Sequence, residues 1–91
     1  MLSTIPYDIS KLDPKEKDCI IARVGLIAEL DAINLYIQMA ALATDKRLKA
    51  ALLDITNEER KHLGEFSSLL LDLDDEQVAK GEEGEEEAEA F

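Results

Sequence analysis

Three residues carry the chemistry available to this sequence. Glu59 and His62 form a Glu-x-x-His pair, and Glu29 lies thirty residues before Glu59. Glu59 and His62 interrupt an apolar series, Leu48, Leu52, Ile55, Glu59, His62, Phe66 and Leu69, whose steps are 4, 3, 4, 3, 4, 3. That spacing is the seam of a helix facing a partner. A carboxylate desolvated in such a seam is strongly unfavourable unless something compensates its charge. A carboxylate and an imidazole three residues apart share one helical face and can both point at one metal ion.

The elements that must position these residues form one small unit. At 91 residues the chain is marginal as an independent fold, and with 46% apolar residues it carries a surplus suited to burial against other subunits. The net charge of −11 is uneven. Residues 1–71 hold nine basic and eleven acidic groups, net −2, whereas residues 72–91 hold one basic and ten acidic groups, net −9. Such a chain repels nucleic acid and anionic membranes and attracts cations. The single Cys19 excludes an internal disulfide framework and suits a reduced, cytoplasmic setting. The N-terminus lacks a signal-peptide pattern. Arg23, Glu29 and Asp31 interrupt the best apolar stretch, which falls short of the roughly 18 residues of a membrane span.

Residues 1–13 read as an N-terminal arm. Asp13-Pro14-Lys15-Glu16 then signals a helix start, with Asp13 as cap, Pro14 in the first turn and Glu16 able to close a capping box. The first helix is predicted from Pro14 to about Ala43. It has one stripe of Leu26, Leu30, Ile33 and Ile37, and a second of Ala22, Gly25, Ala32, Tyr36 and Ala40 around Glu29. Two apolar faces require two partners. Thr44-Asp45 breaks the pattern and supplies the cap of a second helix from about Lys46 to Leu71, and the short link makes the pair an antiparallel hairpin. A short third helix fits residues 72–80, with Asp74 as cap. Residues 81–91, GEEGEEEAEAF, are low in complexity and read as a disordered acidic tail or linker. The domain division is thus arm 1–13, helical hairpin domain 14–80 and tail 81–91. The fold class is all-α: a two-helix hairpin with a short C-terminal helix, dimerising into a ferritin-like four-helix bundle.

Glu29 and Glu59 both sit near mid-helix, so an antiparallel hairpin places them at similar height. Two hairpins supply four glutamates and two histidines, the ligand set of a ferritin-like di-iron bundle. One chain then holds half a site, and a symmetric dimer completes it. Carboxylate oxygen with one imidazole per metal favours iron or manganese. Two Fe(II) ions held there could each give an electron to O2. The competing reading is a non-catalytic helical oligomer, an adaptor or structural subunit, with Glu59 and His62 in an interchain polar network. Tyr36 shares a face with Glu29 and is either a core aromatic or a hydrogen-bond partner of a ligand carboxylate. Asp31 and Glu65 are surface acids, either of which could join an outer cation site. Glu58 points about 100° away from Glu59 and is no ligand. Cys19 reads as a small buried hydrophobe.

The run IIARVGLIAELDAINLYIQMA, followed by LLDITNEERKHLGEFSSLLLDLDDEQV, resembles the encapsulated ferritins, ferritin-like proteins held inside encapsulin shells. The resemblance covers about residues 14–80. Its best marks are Ala28 to Tyr36 and Glu59-x-x-His62. It implies a two-helix chain whose dimer holds a di-iron ferroxidase centre, two irons per dimer, with ligands Glu29, Glu59 and His62 and a nearby Tyr36. It implies a decamer of five dimers that oxidises Fe(II) to Fe(III) with O2, the encapsulin nanocompartment in the cytoplasm storing the product. An outer acidic cluster of the family maps onto Asp31, although the neighbouring Ala28 is not acidic. The C-terminal residues do not resemble a shell-docking peptide. Some archaeal relatives instead fuse the ferritin-like domain ahead of the shell protein. A rubrerythrin-like peroxidase would need a second, cysteine-built iron site that Cys19 alone cannot form.

Overall fold

The structure, a computed structural model, describes residues 11–91. It contains three helices, α1 (Pro14–Leu42), α2 (Lys46–Leu73) and α3 (Asp75–Glu89), and no strand among the described residues. Residues 1–10, most of the expected arm, lie outside the described residues. No helix among the described residues is long and apolar enough to cross a membrane.

Each helix starts at an aspartate whose carboxylate accepts from a backbone N–H left free in the first turn. Asp13 Oδ1 accepts from Glu16 N at 3.0 Å, Asp45 Oδ2 from Leu48 N at 2.7 Å, and Asp74 Oδ1 from Gln77 N at 3.1 Å. Such a cap contributes about 1 kcal/mol. Extended backbone at Ala43 stops α1, and only Ala43 to Asp45 separate it from α2, so the two long helices fold back on each other.

Their facing surfaces follow two seams. On α1 the seam is Cys19, Ala22, Leu26, Glu29, Ile33, Tyr36 and Ala40, all buried or half-buried and stepping 3, 4, 3, 4, 3, 4. On α2 it is Leu52, Thr56, Glu59, Leu63, Phe66, Leu70 and Leu73, likewise buried or half-buried and stepping 4, 3, 4, 3, 4, 3. The expected α2 seam shares Leu52, Glu59 and Phe66 with this one, but its Leu48, Ile55 and Leu69 are exposed. Both registers are apolar because α2 has apolar residues on two adjoining faces, and one hairpin covers one of them. The same holds for α1, where Leu30 and Ile37 of the first expected stripe are exposed. Thr56 tolerates burial because its hydroxyl donates to its own helix at Leu52 O, 2.8 Å away.

Cys19, Ala22 and Leu70 form the buried core at the α1 N-terminal end, with Leu26 and Leu73 packed on it. Cys19 is a free thiol in the role of a small hydrophobe. Nearer the middle, α1 and α2 approach closely at Gly25. A Cβ placed there would lie 2.6 Å from Phe66 Cε1 and 2.8 Å from Phe66 Cζ.

The C-terminal segment departs from expectation. Residues 81–91 are assigned to a disordered tail above, yet α3 is continuous through Glu89 and runs across the boundary set at Lys80. The physical reason is local. Asp74 caps the helix, Asp75 and Glu76 stand in its first turn where the helix dipole favours anions, and Lys80 Nζ pairs with Glu83 at 2.9 Å. Glutamate is also a good helix former. The composition correctly implies that this segment has little to bury, and α3 has no buried residue. Its start is fastened to α1: Arg23 Nη2 donates to Asp74 Oδ2 at 2.6 Å. This guanidinium, with the Gln77 N–H, holds the Asp74 carboxyl below the usual carboxylate range.

Candidate metal centre

The hairpin brings Glu29 of α1 against Glu59 and His62 of α2. His62 Nδ1 lies 3.5 Å from Glu59 Oε2 and 3.7 Å from Glu29 Oε2. One ligand atom from each of the three falls within 4.8 Å of the other two, and this is the group among the described residues able to hold a metal ion. Helical geometry explains the arrangement. Glu59 and His62 are one turn apart on one face, and antiparallel packing sets mid-α1 opposite mid-α2.

The burial is graded. The side chains of Glu29 and Glu59 are 16% and 20% exposed, whereas His62 is 45% exposed. The imidazole thus stands at the rim, on the flank of α2 that also carries exposed Leu48, Ile55 and Leu69 at seven-residue intervals. Glu29 Oε2 is fully buried and has no hydrogen-bond partner. A desolvated carboxylate oxygen without a donor costs on the order of 1–3 kcal/mol, more when charged. A cation at the centre of the three side chains would supply the missing interaction. Two hard oxygens and one imidazole suit iron or manganese, so the residues present fit the group. Three ligand atoms leave open positions for solvent, substrate or a second protein chain.

The other predicted residues fall outside this convergence. Tyr36 is half-buried on the inward face of α1, two turns beyond Glu29. Asp31 is half-buried but is not part of the three-residue group. Glu65 is exposed and lines a shallow groove on α2 with Lys61, Gly64, Ser68 and Leu69. Glu58 turns away and pairs with Lys61 at 2.9 Å, which pulls its carboxyl below the ordinary range and raises the lysine. Sequence reasoning missed the closeness of Phe66 to Gly25. The available signal was a glycine in the middle of a long helix, where it weakens the helix unless something uses the space.

The chain is similar to known proteins. The EncFtn-like family profile matches residues 5–66. The ferritin-like–encapsulin shell fusion protein of Pyrococcus furiosus is 49% identical over 89 residues, covering 96% of this chain and 26% of that protein. The encapsulin nanocompartment cargo protein EncC of Myxococcus xanthus is 41% identical over 61 residues, covering 67% of this chain and 47% of that protein. The chain thus spans about a quarter of the first relative and about half of the second. The crystal structure of the encapsulated ferritin domain from Pyrococcus furiosus is similar with a TM-score of 0.83 and 46% identity, covering 100% of this chain and 95% of that one. The profile match takes in more than half of the sequence, so the chain belongs to the EncFtn-like family of encapsulated-ferritin-like proteins.

Proposed function

We propose that this chain is a ferroxidase subunit that oxidises Fe(II) to Fe(III) with O2 at a di-iron centre shared between two copies. The observation that carries this reading is the convergence of Glu29, Glu59 and His62 around the partnerless, buried Glu29 Oε2. Doubling the hairpin gives four glutamates and two histidines, the ligand set of a di-iron four-helix bundle. The exposed apolar residues flanking His62 supply a surface for the second copy to cover.

In this reading iron is the substrate and the side chains bind and orient it. Glu29 and Glu59 provide negative charge in a low-dielectric setting, which strengthens attraction for a cation. Their hard oxygens favour the more highly charged ferric product. Either Glu59 or Glu29 would bridge the irons. His62 supplies one imidazole to each metal. Two Fe(II) ions would give one electron each, and O2 would take the pair with two protons from solvent and leave as hydrogen peroxide. Tyr36 would act on a ligand carboxylate through hydrogen bonding, and Asp31 would hold an arriving cation.

Residues 14–80 are taken as the assembling unit, in a decamer of five dimers working inside an encapsulin nanocompartment of the cytoplasm. The Pyrococcus relative, a ferritin-like–encapsulin shell fusion protein, and the Myxococcus relative, an encapsulin nanocompartment cargo protein, support the encapsulin partner. The test is aerobic Fe(II) oxidation by the purified assembly, followed as Fe(III) absorbance with O2 consumption. His62→Ala should abolish oxidation above the uncatalysed rate while retaining helical content. An unchanged rate in His62→Ala would overturn the reading.

A further inference from the structure

Gly25 is the sole glycine of α1, and a glycine in mid-helix weakens the helix relative to alanine. Its lack of a side chain is used by Phe66. The ring atoms Cε1, Cδ1 and Cζ would lie 2.6, 2.7 and 2.8 Å from a Cβ at that position, closer than carbon atoms can approach without displacement. The other glycine of the hairpin, Gly64, has nothing within 4 Å of the corresponding point. The contact at Gly25 is therefore a specific close approach of α1 to α2.

Its location matters. Gly25 is four residues before Glu29 on α1, and Phe66 is four residues after His62 on α2. In antiparallel helices these two steps run the same way, so the ring occupies the layer next to the ligand cluster. The cluster has little of its own to fix its dimensions. Glu29 Oε2 accepts no hydrogen bond, and its 3.7 Å separation from His62 Nδ1 exceeds hydrogen-bonding distance. The gap between Glu29 and His62 is then set by how far apart their helices stand, and one turn away that distance is limited by an aromatic ring lying on bare backbone.

We propose that the Gly25–Phe66 contact sets the α1–α2 spacing at the Glu29–Glu59–His62 centre. Phe66 is a positioning residue for metal binding, and Gly25 is the residue that admits it. The inference rests on the metal-centre reading above. A rigid aromatic suits this task because its position is fixed by two torsions and by the surface it rests on. A methyl group at residue 25 must push the ring outward or the helices apart, and either movement changes the gap that Glu29 and His62 span.

The test is a double-mutant cycle on the full chain, with Co(II) as spectroscopic probe. Co(II) affinity and the visible absorption of the bound ion are read for the unmodified protein, Gly25→Ala, Phe66→Leu and the double variant, with Tm and oligomer mass in parallel. Gly25→Ala should weaken Co(II) binding about tenfold or more, within the range for disturbing a ligand's support, and alter the absorption bands. Phe66→Leu should weaken it less. The double variant, in which a smaller side chain meets the added methyl, should bind more tightly than Gly25→Ala and recover the bands, a non-additive result expected only of residues in contact. If Gly25→Ala does not fold, Phe66→Leu and the double variant carry the same test. Unchanged Co(II) affinity and spectrum in the folded single variants, with only Tm lowered, would overturn the proposal while leaving the metal centre intact. Absence of saturable Co(II) binding by the unmodified protein would overturn the metal-centre reading and this inference with it.

Discussion

Glu29 and His62 meet across the hairpin with Oε2 and Nδ1 3.7 Å apart, too far for a hydrogen bond and close enough to share one cation. The carboxylate oxygen involved is buried and accepts nothing. A side chain placed this way costs stability in the metal-free chain and gains it when a cation arrives. That opposition of sign separates a metal ligand from an ordinary buried acid.

The opposition can be measured with Glu29→Gln, which keeps size and shape while removing the charge. Thermal or urea unfolding of metal-free protein should show the variant more stable by about 1 kcal/mol, the scale of relieving an unsatisfied buried group. Addition of Fe(II) under argon should raise the Tm of the unmodified protein and leave that of the variant in place. A variant destabilised without metal would mean that Glu29 already has a partner in the folded chain.

Asp74 gives the fold a pH dependence of known sign. Its carboxylate accepts from Arg23 and from the Gln77 N–H, and its folded-state pKa is depressed. At neutral pH the group is ionised in both folded and unfolded chains and its stabilising contribution is fully present. As pH falls below the ordinary carboxyl value of about 3.9, the unfolded chain takes up the proton first, and the contribution is lost on approach to the folded-state value. Urea unfolding across the acid range should therefore show a drop in stability that Asp74→Asn makes shallower. Equal slopes would remove the Arg23–Asp74 pair from the account.

The acidic C-terminal helix invites a kinetic test. Residues 72–91 carry a net charge of −9, and α3 buries no residue. Deleting residues 81–91 should leave the hairpin fold and the oxidation chemistry intact but slow Fe(II) uptake at low ionic strength. The difference should vanish toward about 1 M salt, where the screening length is near 3 Å. Equal uptake rates at all salt concentrations would exclude a steering role.

These elements show which parts of the molecule could be read from sequence. Asp13 and Asp74 announce their caps directly, and Thr44-Asp45 marks the third to within one residue, because capping depends on residues three apart in the chain. The meeting of Glu29 with Glu59 and His62 was also legible, since a short link between two long helices fixes their register. The facing seam of α2 was legible to within one position: Leu52, Glu59 and Phe66 belong to it, whereas Leu48, Ile55 and Leu69 lie on the adjoining flank. Hydrophobic period alone cannot rank two adjoining apolar faces of one helix. The helix at residues 81–89 was missed because low complexity reports the lack of anything to bury, not the helix preference of glutamate. The Gly25–Phe66 approach depends on interhelical distance, which no local pattern encodes.

Anaerobic Fe(II) titration of the purified assembly, with oligomer mass read at each step, decides whether two copies complete one di-iron centre. Saturation is expected near one iron per chain, bound by a dimer or a larger dimer-built assembly and lost in His62→Ala. A stable oligomer with no saturable iron binding, whose assembly survives Glu59→Ala/His62→Ala unchanged, would contradict it and make the three side chains a structural polar network.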